Sequence, residues 1–96
     1  MKPVKVTLER CVINDVSGLI QLSSGKYKRE IKVWYSGGQN YLLDQISEDP
    51  AHFQPIDTTA IYHFNCYLNG IPSPYGPVNK LLISSFYPIL NSISNQ

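Results

Sequence analysis

Four of the chain's eight basic residues, Lys26, Lys28, Arg29 and Lys32, fall within seven positions, and Tyr27, Trp34 and Tyr35 are interleaved with them or follow directly. A single polynucleotide strand presents a row of phosphates with unstacked bases between, so its binder needs positive charge along the backbone and flat rings beside it. This segment offers both, and stacking on an aromatic ring contributes about 1–3 kcal/mol per base. Side chains of a strand alternate between faces, which puts Lys28, Glu30, Lys32 and Trp34 on one side and Ile31, Val33 and Tyr35 on the other. A base stacked on Trp34 then has lysines within reach. The competing reading is a solvated hairpin whose lysines blunt a sheet edge. Two further platforms are Tyr75, held in the proline-flanked run Pro74-Tyr75-Gly76-Pro77, and Tyr41, whose parity with Leu43 favours the core. The expected nucleic-acid contacts are therefore Lys26, Tyr27, Lys28, Arg29, Lys32, Trp34, Tyr41 and Tyr75.

Other chemistry finds less support. Cys11 and Cys66 stand far apart inside apolar runs, the setting of buried free thiols rather than of a disulfide framework. His63 and Cys66 are three apart, so in a strand they project from opposite faces and cannot share an ion without distortion. Asp44, Glu48, Asp49 and Asp57 flank a proline-bounded insert, where acids mark a helix start and a solvated loop. Gly25-Lys26 lacks the rest of a glycine-rich phosphate loop. The expectation is a protein without catalytic activity, metal or cofactor.

The elements that must hold these residues are strands. Ninety-six residues make one small domain, and 43% hydrophobic with 16% charged residues is too apolar for a disordered tail. Seven prolines and six glycines spread along the chain exclude a long-helix protein, and no apolar run approaches the roughly 18 residues a bilayer span requires. The opening Met1-Lys2-Pro3-Val4-Lys5 has no apolar stretch after it, so no secretory signal is expected and the cytoplasm is the expected compartment. Val4, Val6 and Leu8 alternate, after which the apolar parity flips to Cys11 and Ile13, a sign of a bulge or bend. Turn residues follow at 14–18 and 23–26, then a strand over 27–35, a hairpin loop at 36–40 and a returning strand over 41–46. Ser47 to Phe53 predicts a short helical insert, with Ser47 as its cap and Pro50 early in it. Strands over 60–68 and 81–87 complete the set, with Pro88 closing the last. Residues 1–90 form the domain and 91–96 a polar tail.

Charge is divided along the chain. Residues 1–35 carry seven bases against three acids, a net of +4, and the remainder one base against four acids, a net of −3. Five strands, the first long and bent, with a short helical insert between the third and fourth, predict an all-β, OB-fold-like Greek-key barrel.

The chain also resembles the single-stranded DNA-binding proteins of filamentous phages and, more distantly, bacterial single-strand binding proteins. Val4-Lys5-Val6-Thr7-Leu8, Ser24-Gly25-Lys26-Tyr27-Lys28-Arg29 and the closing Leu81-Leu82-Ile83 to Pro88 carry the likeness, over less than half the chain. The resemblance implies a small cytoplasmic protein, often dimeric, that coats single strands with a basic loop and aromatic side chains. The chain ends Asn91-Ser92-Ile93-Ser94-Asn95-Gln96 instead of in the acidic tail of the bacterial proteins, so recruitment of partners through such a tail is not expected. The functional expectation is sequence-tolerant binding of single-stranded DNA, with RNA left open, by a homodimer in DNA replication or strand protection. The alternative is a protein-interaction barrel serving as an assembly or adaptor subunit, in which Trp34, Tyr67 and Tyr75 form the apolar patch.

Overall fold

The computed structural model describes residues 4–35, 38–68 and 80–91. In chain order they form β1 (Lys5–Val16), β2 (Ile20–Gln21), β3 (Tyr27–Tyr35), β4 (Gln39–Ser47), a 3-10 turn (Pro50–His52), β5 (Ala60–Leu68) and β6 (Lys80–Asn91). The six strands make one sheet in the order β1-β5-β6-β4-β3-β2, and a further pairing of β1 with β3 closes it into a barrel-like ring. The protein is all-β. Among the described residues no helix is long and apolar enough to cross a membrane.

Closure depends on the bend in β1. Its first part, Lys5 to Val12, runs antiparallel to β5, and its second, Val12 to Val16, antiparallel to β3. The flip of parity after Leu8 is a bulge: Leu8 faces Phe64 and Cys11 faces Tyr62, leaving one extra residue on β1. Arg10 takes a positive φ of 61° there. Because the extra residue shifts the alternation, Leu8, Cys11 and Ile13 all turn inward. A second irregularity lies between Ile13 and Asp15, where Asn14 is the surplus residue.

The inward set follows from alternation elsewhere too. Ile31 and Val33 of β3, Leu43 of β4, Phe64 and Cys66 of β5 and Leu81 of β6 are buried. Phe64 and Phe86 stack with centroids 5.4 Å apart, and Tyr62 lies within 6 Å of both rings. Fully burying side chains of this size contributes about 1.5–3 kcal/mol each. Cys11 and Cys66 are buried free thiols. Burial pushes Cys11 up to about 11 and Cys66 up to about 12, with Cys11 adding to the effect on Cys66.

β3 and β4 form a continuous hairpin from Tyr27 opposite Ser47 to Tyr35 opposite Gln39. Gly38 closes it at φ 82° with its N–H on the Tyr35 carbonyl at 3.2 Å. β2 makes a smaller hairpin with β3, turned by Gly25 at φ 93°. Its two residues, Ile20 and Gln21, are too few for alternation to announce a strand. β4 and β6 pair in parallel through Leu42–Asp44 and Lys80–Leu82.

Three expectations need correction. The helical insert is one 3-10 turn of three residues, since Pro50 at its start and Pro55 just beyond leave no room to propagate. Its cap is Asp49, which accepts the Ala51 N–H at 2.9 Å, and not Ser47. Pro88 does not end β6, which continues to Asn91. Pro88 lies next to a register shift against β5, a position where its missing N–H is tolerated.

Candidate nucleic-acid interface

Alternation along β3 sorts the basic segment into two fates. Trp34 and Lys32 point outward from a strand whose Ile31 and Val33 are fully buried. The Trp34 side chain is 41% exposed, and Val12, its register neighbour on β1, is 40% exposed. The indole is therefore accessible beside a second apolar side chain. Lys32 is exposed, and among the described residues no carboxylate comes within ion-pair distance of it. Lys26 is exposed beside the Gly25 turn, likewise with no carboxylate partner among the described residues.

Lys28 shares that outward face but its charge is already matched. Its ammonium lies 3.4 Å from Glu30 and 3.8 Å from Asp44. Asp44 belongs to the outward parity of β4, between Glu30 on β3 and Leu82 on β6, yet it is buried. Lys80 reaches its other oxygen at 3.5 Å. Two lysines and two carboxylates make a locally neutral cluster. Because Asp44 is buried, its pairs are screened by salt less than surface pairs are, and together the four charges cancel the field a phosphate would feel.

Arg29, expected to meet the polynucleotide with the lysines, is 6% exposed. Its Nε and Nη2 donate to Gln45 Oε1 at 3.1 and 2.6 Å, and Nη1 donates to the Gln54 carbonyl at 2.9 Å. The guanidinium also lies over the Phe53 ring, 5.5 Å from its centroid. Burial lowers its pKa from the ordinary arginine value, an effect the Tyr62 phenol opposes. Arg29 thus fastens the segment after the 3-10 turn to the end of the barrel. It shares the parity of Ile31 and Val33, and the inward position at a barrel end accepts a polar group with partners.

The tyrosines do not gather around Trp34. Tyr27 is half-buried at the start of β3, opposite Gln21 and Ser47. Tyr41 follows the inward parity, stands edge-on to Tyr35 at 6.2 Å and donates its hydroxyl to Gln39 at 2.8 Å. Its parity with Leu43, not its aromatic character, decides its place. Tyr75 lies outside the described residues.

Compared with known proteins, the chain matches no family model, no curated sequence and no solved structure. The geometry therefore carries the functional argument.

Two residues that the sequence presented as turn chemistry belong to this face. Asn14 Nδ2 donates to Asn40 Oδ1 at 3.2 Å, although β3 runs between their strands. Nothing in their spacing announces this, because the surplus position of Asn14 is set by pairing with β3. Away from this face, His63 stacks on Tyr87 with centroids 4.8 Å apart and bonds to Asn65. Ser47 Oγ bonds to His52 Nδ1 at 2.6 Å and accepts the Asp49 N–H, which ties the 3-10 turn to β4. Among the described residues no three His, Cys, Asp or Glu side chains converge as a metal cage requires.

Proposed function

We propose that this chain is a single-stranded DNA-binding protein on an OB-fold barrel, gripping its ligand by stacking on Trp34 and by the ammonium groups of Lys32 and Lys26. The strand order supports the OB-fold reading. With the two-residue β2 set aside, five strands close in a Greek-key order whose third and last members lie parallel. OB-folds bind oligonucleotides on the face of their second and third strands, here β3 and β4. The carrying observation is the accessible indole of Trp34 two residues from an unmatched ammonium on that face. In this reading the protein acts in the cytoplasm, in replication or strand protection. Past Leu82, β6 has β5 alone as a neighbour among the described residues, and its exposed Tyr87 and Ile89 suit the contact of a homodimer.

Trp34 is the sole tryptophan, so its fluorescence reports binding directly. Titration with a short thymidine oligomer at two salt concentrations should quench it, with an affinity that falls as salt rises by a slope of about 0.7 per phosphate contact. Trp34→Ala, followed by gel shift, should weaken binding by about 1–3 kcal/mol with the slope unchanged. No quenching at low salt would remove the proposal and leave the protein-interaction barrel, whose oligomeric mass would not respond to the oligomer.

A further inference from the structure

We infer that the outer face of β3 and β4 carries a slot for one nucleobase, read by the side-chain amides of Asn14 and Asn40. The inference rests on the single-strand reading above and specifies how that face meets a base.

The slot follows from the second irregularity of β1. Ile13 stands opposite Val33 and Asp15 opposite Lys32, so Asn14 has no register partner on β3. Surplus residues of this kind re-aim a side chain, and bulges concentrate beside functional sites for that reason. Asn40 flanks β3 from the other side, opposite Trp34. The two amides meet across the stretch of β3 that holds Lys32 and Trp34. Beside this bridge is an open cavity of about 260 Å³ lined by Asn14, Lys32, Asn40, Tyr41 and Leu42. That is smaller than the roughly 300–1,000 Å³ of pockets for drug-sized ligands, and suits a single ring system.

The chemistry of the lining selects the occupant. In the Asn14–Asn40 bond one amide spends a donor and the other a lone pair, which leaves the Asn14 oxygen as acceptor and the Asn40 nitrogen as donor. An acceptor beside a donor is the complement of a base edge, which offers both. Leu42, on the outward parity of β4, supplies apolar contact for a face of the ring, and Tyr41 closes the edge of the cavity from a side chain that otherwise packs toward the core. Lys32 supplies the charge that a flanking phosphate needs. Asp15 is its register neighbour but makes no ion pair with it. An apolar protein side chain in the same slot would cover the remaining Asn14 acceptor, the remaining Asn40 donor and the Lys32 ammonium without satisfying them, which is unfavourable. Trp34 stands opposite Asn40 and serves the adjacent base as a stacking plane.

Binding is then sensitive to base identity. Trp34 fluorescence titrations with thymidine, cytidine and adenosine oligomers of equal length, and with a thymidine oligomer carrying abasic positions, should give affinities spread over about 5- to 150-fold, the range of a bidentate base contact. In Asn14→Ala/Asn40→Ala the spread should shrink below threefold while quenching and salt slope persist. In the unaltered protein the side-chain amide resonances of Asn14 and Asn40 should shift on adding the thymidine oligomer. Resonances that stay in place while Trp34 quenches, or a spread unchanged in the double variant, would overturn the slot and leave strand binding intact. Absence of quenching with every oligomer would overturn strand binding itself. Saturable uptake of a short uncharged phenylalanine peptide in place of any oligomer would reassign the slot to a protein partner.

Discussion

Lys28 and Lys32 stand four residues apart on one face of β3, and their surroundings give them opposite weights. Glu30 and Asp44 already hold the Lys28 ammonium, whereas Lys32 has no carboxylate in reach among the described residues. Lys32→Ala should flatten the salt dependence of oligonucleotide binding by about 0.7, and Lys28→Ala by clearly less, when both are titrated at several salt concentrations. Equal slopes would mean that phosphate displaces the carboxylates from Lys28. Arg29 belongs to stability instead. Arg29→Met removes three hydrogen bonds to Gln45 and Gln54 and strands their acceptors, which should cost about 1–3 kcal/mol in urea unfolding and leave oligonucleotide affinity within twofold. Arg29's parity with Ile31 and Val33 points inward, but its charge groups it with the lysines and so placed it among the expected polynucleotide contacts. The Glu30 half of the neutralisation of Lys28 was legible in their shared parity, and the Asp44 half was not, since Asp44 reaches across from β4.

At the scale of elements, β1 joins two neighbours because it bends, and the bend stores strain. Arg10 holds a positive φ of 61°, a region that costs an L-residue about 1–2 kcal/mol. Arg10→Gly relieves that strain against a smaller loss of chain entropy, so a rise of a few degrees in Tm is expected by thermal melting, and Arg10→Val should lower it. The long strands and this first bulge were readable from alternation, because a flip of apolar parity has one local cause. The Asn14 bulge was hidden. Ile13 and Val16 both turn toward the core three positions apart, but Asn14, Asp15, Ser17 and Gly18 around them read as a turn, so the flip gained meaning only against the register of β3. The run of β6 through Pro88 was hidden for a related reason: a proline ends a strand unless the register shifts beside it, and the partner that allows this is β5.

For the whole molecule, the ring encloses two thiols whose chemistry reports on its integrity. Folding raises Cys11 from the ordinary 9.0 to about 11 and Cys66 to about 12, by burial in both cases. A raised acid constant favours the protonated thiol in the folded state. The contribution is therefore complete below about pH 9 and is lost between pH 9 and 12, as the unfolded chain ionises and the folded one does not. Urea midpoints measured from pH 7 to 11 should stay level and then fall above pH 9. Cys11→Ala/Cys66→Ala, less stable at neutral pH, should lose that fall. The all-β ring was legible because alternation fixes faces strand by strand, and the position of its closure was not.

That closure is uneven. Three of the five junctions around the barrel are long antiparallel ladders, the β1–β3 junction is a short antiparallel one interrupted at Asn14, and the fifth is the parallel contact of Leu42–Asp44 with Lys80–Leu82. This makes it the barrel's clasp, fastened on the outside by the carboxylate that Lys28 and Lys80 share. Opening it would splay β4 away from β6 while the remaining ladders stayed intact. The Asn14–Asn40 bridge, spanning β1, β3 and β4, lies wholly on the stapled side. The face that carries Trp34 and Lys32 then keeps its shape even as the barrel breathes, and on the single-strand reading so does its grip.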